Sequence, residues 1–286
     1  MPKLIDHKQR TPEWFAWRKN KISASMLPTI MGLNPYETPL QLYNQLMSGE
    51  QKEMTPAMQR GVDLEPKARL CAENYFTCSY PEACIEDAVC EYFIASMDGF
   101  NADGKVPAIE IKCLGEKGHS QSKLGVVPPQ YWPQLQWQMY VAGIQEMYYF
   151  SYAADNDFEV IKVKKDRAFL DKAVEAAHEF RRCLIDFIPP EPSDRDLIAI
   201  DDAEAVLIAA DIAEMQLNIR QMTAKSEELR RRLKEICQDR SSVIGDTFRF
   251  VKSVKRGAVD YKAIPELELV DLEKYRKAKI ESWRFS

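Results

Sequence analysis

The chain has 286 residues, 45% hydrophobic and 29% charged, an ordinary globular composition with room for one large domain plus additions or for two. No apolar run approaches the ~20 residues of a membrane span, and the first residues hold no signal-peptide core. Seven cysteines without a Cys-x-x-Cys pair argue against a disulfide framework and a zinc site, so a cytoplasmic setting with no membrane partner is expected. The net charge of −5 disfavours a surface uniformly attractive to nucleic acid, but basic residues cluster around 8–21, 162–167, 230–234 and 249–256. A local phosphate-binding groove is compatible with an acidic remainder.

Thr11 reads as the N-cap of a short helix, with Pro12 in its first turn and Trp14, Phe15 and Trp17 as a bulky face. Arg18 comes next on the same helix. Ser23 and Ser25 read as the cap and first turn of another helix, whose free N–H groups would attract phosphate beside Arg18. The same residues also suit a packing helix with an ordinary serine cap. Residues 38–48 and 55–74 read as helices, and Pro66 predicts a kink or a new start in the second. Glu65 sits at that break, either with a role there or as a plain surface residue.

Asp103-Gly104 is a tight-turn signal between two strand-like stretches, 91–100 and 106–113, which together read as a central hairpin. Alternation sends Ile109 and Ile111 to the core, and Glu110 and Lys112 to the other face, within reach of Asp98. Two neighbouring carboxylates suit Mg²⁺ or Mn²⁺, and a lysine beside them can orient or deprotonate a water. A solvated hairpin with ordinary surface charges is the other reading of the same residues. Residues 115–125, with His119, read as a mobile glycine-rich loop that could cover a substrate. Tyr131 leads into a helix over 134–142 that carries Gln134 and Gln136.

Strands over 147–152 and 159–163 and an amphipathic helix over 167–188 complete this part. The order predicts an α/β fold, an α+β mixed sheet flanked by helices, as a domain over residues 1–195. Residues 196–286 read as an extension with three parts. The first is a helix over 203–237, about 50 Å long at 1.5 Å per residue. Its apolar positions, from Ile208 through Met215, Ile219 and Met222 to Ile236, recur at steps of four and three with one polar break at Ser226. A hairpin around Gly245-Asp246 and a short basic helix over 271–279 come after it. The stripe needs cover. Later residues of the same chain, such as Ile264, Leu267, Leu269 and Leu272, are expected to supply it; pairing between subunits is the alternative.

Five blocks occur in a telling order: Glu13-Trp14-x-x-x-Arg18 with Ile22-Ser23-Ala24-Ser25; Gly61-x-x-x-Glu65-x-x-Ala68-Arg69; Ser96-x-Asp98-Gly99; Glu110-Ile111-Lys112-Cys113; and Tyr131-x-x-Gln134-x-Gln136. Over about residues 10–155 they resemble the phage-type alkaline exonucleases, the lambda exonuclease and YqaJ-like group of the PD-(D/E)xK nuclease superfamily. The resemblance implies a restriction-endonuclease-like core in which Asp98, Glu110 and the Ile111 carbonyl hold Mg²⁺, with Mn²⁺ as a substitute. It implies that Lys112 activates the water, Glu65 assists a second metal or a water, and Gln134 steadies the site, with Gln136 and Tyr131 in support. Arg18, Ser25 and Ser23 would hold a 5′-phosphate.

The implied activity is a Mg²⁺-dependent 5′→3′ exonuclease on double-stranded DNA ends in a bacterial or phage-infected cell. It would leave 3′ tails for a single-strand annealing protein. An endonuclease of the restriction or structure-specific type, and a non-catalytic DNA-binding or assembly protein, are the competing readings. The resemblance also implies a ring-shaped trimer, although the extension beyond 195 has no counterpart in that group. Met97 stands where the superfamily often carries proline.

Overall fold

The structure, a computed structural model, describes residues 2–49, 54–101, 104, 106–199, 202–237, 242–244 and 249–251. By its contacts the chain divides into two compact units, Met1–Leu197 and Ile198–Ser286.

The first unit opens with strand β1 (Lys3–Ile5), helix α1 (Pro12–Arg18) and the short strand β2 (Ile22–Ser23). A 3₁₀ turn at Ala24–Met26 and a four-residue helix α2 (Leu27–Ile30) come next, where the sequence predicted one longer helix. Helices α3 (Pro39–Ser48) and α4 (Pro56–Phe76) succeed them. Threonine caps start three of these helices. Thr11 Oγ1 accepts from Trp14 N, Thr38 forms a full capping box with Gln41, and Thr55 accepts from Met58 N. Each is followed by proline, which lacks the N–H that a first turn leaves unpaired. Helix α4 runs on through Pro66, so no new helix begins there.

Strands β3 (Ala83–Glu86) and β4 (Phe93–Met97) join β1 and β2 in a sheet of order β1-β3-β4-β2, with only β2 parallel to its neighbour. Strand β5 (Ile109–Lys112) is followed by helices α5 (Glu116–Lys123) and α6 (Trp132–Val141), strands β6 (Glu146–Ala154) and β7 (Asp157–Lys164), and helix α7 (Arg167–Asp186). Here the sheet order is β5-β6-β7, with β5 parallel and β7 antiparallel to β6. The architecture is the mixed α/β one that the element order predicts.

The expected central hairpin is looser than the sequence implied. Strands β4 and β5 share one antiparallel bridge, Gly99 to Ile109, and then part. Strand β5 spends its ladder on β6, and a parallel pair needs a crossover, which α5 and α6 supply. The predicted mobile loop over 115–125 is therefore a helix for most of its length. His119 on α5 is buried and bonds Ser151 on β6 (2.8 Å) and Asp157 on β7 (3.0 Å), which pins α5 to the sheet.

The main core gathers Ile22, Leu27, Phe93, Leu135, Trp137 and Tyr149 between the sheets and helices α2, α6 and α7. A second cluster, Ala68, Tyr80, Ile109, Phe150 and Tyr152, lies against α4. Helix α6 is buried nearly all round, with Leu135, Trp137 and Met139 fully covered, and such a helix shows no clear apolar stripe in sequence. Glycine is required at Gly99, because a Cβ there would stand 2.5 Å from Cδ1 and 2.8 Å from Cβ of the buried Tyr80.

The second unit contains helix α8 (Ala203–Cys237), capped by Asp202, whose Oδ1 accepts from Ala205 N at 2.8 Å. Strands β8 (Ser242–Ile244) and β9 (Arg249–Val251) pair antiparallel with Val243 opposite Phe250, at the predicted hairpin. The predicted basic helix and the residues expected to cover the stripe of α8 lie outside the described residues. Among those described, no helix is long and apolar enough to cross a membrane.

A buried carboxylate fastens the N-terminal segment to the first sheet. Glu86 on β3 is 6% exposed and accepts from Lys21 Nζ, from Trp17 Nε1 at 2.7 Å and from Lys3 Nζ at 3.3 Å. Burial pushes its carboxyl up, but the three donors outweigh burial and hold it below its ordinary value of 4.5. A lowered folded-state pKa contributes stability above the unfolded value, and that stability is lost as pH falls through the folded value. Glu86→Ala should cost about 2–3 kcal/mol at pH 7. Urea unfolding at pH 7 and pH 3 should show the gap to wild type closing on acidification; a gap that stays constant would deny Glu86 this role.

Candidate active site

Strand β5 sends Glu110 inward, where it is 3% exposed. A carboxylate so buried must find donors, and three nitrogens converge on it. Lys112 Nζ and Gln134 Nε2 donate to Oε1 at 2.6 and 2.5 Å, and Gln138 Nε2 donates to Oε2 at 2.6 Å. Gln134 and Gln138 lie one turn apart on α6 and so share a face. Gln136 does not share it. Its amide donates to Lys164 O and accepts from Asp166 N, so it holds the β7–α7 corner rather than supporting the acidic cluster. Tyr131 lies nearby, its ring centre 5.3 Å from Lys112 Nζ.

Asp98 lies just past β4 and faces this group. Its Oδ2 accepts from Ile111 N at 2.8 Å, which binds β4 to β5 just past their single bridge. Ile111 itself is buried in the smaller core cluster. Burial first, and Glu110 second, push the Asp98 carboxyl up to about 8, against the pull of Lys112 and the Ile111 N–H. Burial works against the Lys112 ammonium, but Glu110 and Asp98 outweigh it and raise its pKa above the ordinary value. The thiol of Cys113 is pushed up to about 11 by burial and then by Glu65 and Asp98, so it stays protonated at neutral pH.

Glu65 pairs with two arginines, Arg69 one turn on in the same helix and Arg10 from far along the chain. Arg10 Nη2 and Arg69 Nη2 both pair with its carboxylate. Arg69 Nη1 also donates to the main-chain carbonyls of Asp98 and Tyr80. One guanidinium thus bolts α4 to the end of β4. Arg10 has φ +66, a left-handed conformation that costs a non-glycine residue energy and that the Glu65 ion pair helps hold.

Beside this cluster lies a second polar group. Arg18 Nη2 donates to Ser23 Oγ (2.9 Å) and Ser25 Oγ (3.1 Å), and its guanidinium stacks 4.3 Å over the Trp14 ring. Trp14 Nε1 donates to Ser96 Oγ at 3.0 Å, two residues before Asp98. Burial lowers the Arg18 pKa to about 10, with Cys84 opposing, and no carboxylate pairs with it among the described residues. A half-buried cation with only hydroxyls as partners is suited to an incoming anion. The expected helix start contributes little, since Ser23 leads into a single 3₁₀ turn. An open groove of about 720 Å³, lined by Leu4, Phe100, Val106, Ile144 and Tyr148, includes none of these residues.

The donor set bears on whether a cation fits. Among the described residues no three His, Cys, Asp or Glu side chains gather as a metal cage. Two carboxylates and a carbonyl are nevertheless enough for Mg²⁺, which keeps several waters and takes one or two carboxylates from a protein. Burial first and the neighbouring Glu110 carboxylate second raise the Asp98 pKa, and a hard divalent cation between the two would oppose both. The residues fit.

Residues 13–145 match the model of the YqaJ-like viral recombinase domain. The structure is similar to that of LHK-Exo in complex with dAMP, with a TM-score of 0.54, 28% identity, and 62% of this chain and 94% of that one covered. It is similar to a second structure of that alkaline exonuclease, from Laribacter hongkongensis, with a TM-score of 0.52, 26% identity, and 77% and 100% covered. No curated protein matches the chain. The match over residues 13–145 and the two structural likenesses together support a phage-type alkaline exonuclease.

Proposed function

We propose that this DNA exonuclease is a Mg²⁺-dependent enzyme that degrades linear duplex DNA 5′→3′ and leaves 3′ single-stranded tails. The observation that carries the reading is the opposition of Asp98 and Glu110 around Lys112, next to a separate anion pocket at Arg18. Asp98, Glu110 and the Ile111 carbonyl would hold the cation, which when bound supplies Lewis-acid polarisation of the scissile phosphate. Gln134 and Gln138 fix the Glu110 carboxylate in place for that task. Two carboxylates keep Lys112 protonated, so it acts as a donor and a charge. It orients the attacking water through an N–H and stabilises the negative charge that builds on the phosphate oxygens. Glu65, held by Arg10 and Arg69, is placed to assist a second cation or a water. The 3′ tails suit a single-strand annealing protein acting next, in the cytoplasm of a bacterial or phage-infected cell.

Lys112→Ala should lower the cleavage rate by at least ~10², the scale of a positioned charge-stabilising group, while duplex binding stays near wild type. Chelation of divalent cations should abolish cleavage by the wild-type protein, and Mn²⁺ should restore it. Near wild-type cleavage by Lys112→Ala would sink the assignment. Closed circular duplex should survive incubation; its degradation would favour an endonuclease.

Polarity rests on the Arg18 pocket. A terminal 5′-phosphate carries more negative charge than an internal diester, and a guanidinium with two hydroxyls can grip it. Such a charge-assisted contact is worth about 1.5–3 kcal/mol, roughly one to two decades in rate. Wild-type protein should therefore digest 5′-phosphorylated duplex faster than 5′-hydroxyl duplex by about that factor, and Arg18→Ala should remove most of the difference. Initial rates on the two substrates decide it. Equal wild-type rates, or a preference that survives in Arg18→Ala, would leave 5′→3′ travel without a physical basis.

A further inference from the structure

The seam on α8 from Ile208 to Ile236 keeps a seven-residue period, in alternating steps of four and three, over about four heptads. That period belongs to helices that wind around one another; a helix laid on a globular core keeps a 3.6-residue period with a wider apolar face. The seam is open. Ile219 is 63% exposed, Met222 73% and Ile236 75%. On the outward face Arg231 is paired within the helix to Glu228 and Glu235.

The residues flanking the seam select both the partner and its direction. With Ile212 and Ile219 at a positions and Met215 and Met222 at d positions, Asp211, Asn218, Lys225 and Arg232 fall at g, and Gln216, Thr223 and Arg230 at e. A parallel pair of α8 helices would set each g residue against the e residue of the next heptad. Lys225 would then face Arg230 twice, with no attractive pair to offset the repulsion. An antiparallel pair centred between Arg220 and Gln221 sets g against g, so Asp211 faces Arg232 twice and Asn218 faces Lys225 twice. The same register places Ile219 against Met222, Ile212 against Leu229, and the polar Ser226 against the pliable Met215. That centre is also the middle of Ala203–Cys237, so the two helices overlap along almost their whole length. We infer that α8 is a self-association element that pairs antiparallel with α8 of a second copy of this chain. Its apolar seam is the interface and Asp211–Arg232 the pair that fixes direction.

The test uses the full chain in sedimentation equilibrium across a range of concentrations, with circular dichroism to monitor the folding of each variant. Wild type should hold an even number of copies and dissociate to half that mass on dilution. Ile219→Lys with Met222→Lys should raise the dissociation constant at least ~100-fold, since it puts charges on the central layers. Asp211→Arg and Arg232→Asp should each weaken association about tenfold, and the two together should restore it to within about threefold of wild type. The two positions lie about 31 Å apart along one helix, so such restoration requires contact between copies. A monomeric wild type, or a mass unchanged by the double lysine variant, overturns the inference and indicates cover from the chain's own later residues or from another protein. Charge reversals without effect, or without mutual rescue, overturn the antiparallel arrangement. They leave the seam intact, so they decide the matter even if the lysine variant unfolds.

Discussion

A carboxylate sealed from water with only 3% of its residue exposed is the constraint on which most of this structure depends. A carboxylate buried this deeply needs donors around it, and β5 alone can offer one, the lysine two residues on. The others come from α6, which must therefore lie against the sheet with glutamines turned inward. Gln136 and Gln138 are fully buried, and each has a backbone partner as well as a place in the packing. A helix that carries amides on the inside cannot be amphipathic in the ordinary sense. Its fully buried Trp137, Leu135 and Met139 provide the apolar contacts that hold it there.

The anion pocket and the acidic cluster are linked through strand β4. Ser96 on β4 accepts from Trp14 with its hydroxyl and from Gln138 with its carbonyl, two residues before Asp98. Arg69 then takes the Asp98 carbonyl and the Glu65 carboxylate together. The distance between whatever anion Arg18 holds and the carboxylates beyond is thus set by sheet and helix geometry, not by a loop.

Much of this was legible in the sequence because it depends on short-range rules. Alternation along a strand put Glu110 and Lys112 on one face, and threonine–proline pairs marked three helix starts. The spacing of four from Gln134 is the sequence signal for Gln138, whereas Gln136, two residues on, turns to the opposite side. The features that stayed hidden depend on long-range partners. The preference of β5 for β6 over β4 is decided by a strand more than thirty residues on, and the ordering of the glycine-rich stretch into α5 depends on Ser151 and Asp157. Arg10 looks like a surface charge until Glu65 is brought to it, and nothing local shows that Arg69 also takes the Asp98 carbonyl.

The parallel pairing of β5 with β6 also has a consequence for the chain while it is being made. Ile109 to Lys112 find their ladder partners at Tyr148 to Ser151, and Glu110 finds Gln134 and Gln138 just before them. Until that stretch has left the ribosome, Glu110 has Lys112 but lacks both its parallel strand and its two glutamine donors. A growing or prematurely ended chain is therefore without an assembled site.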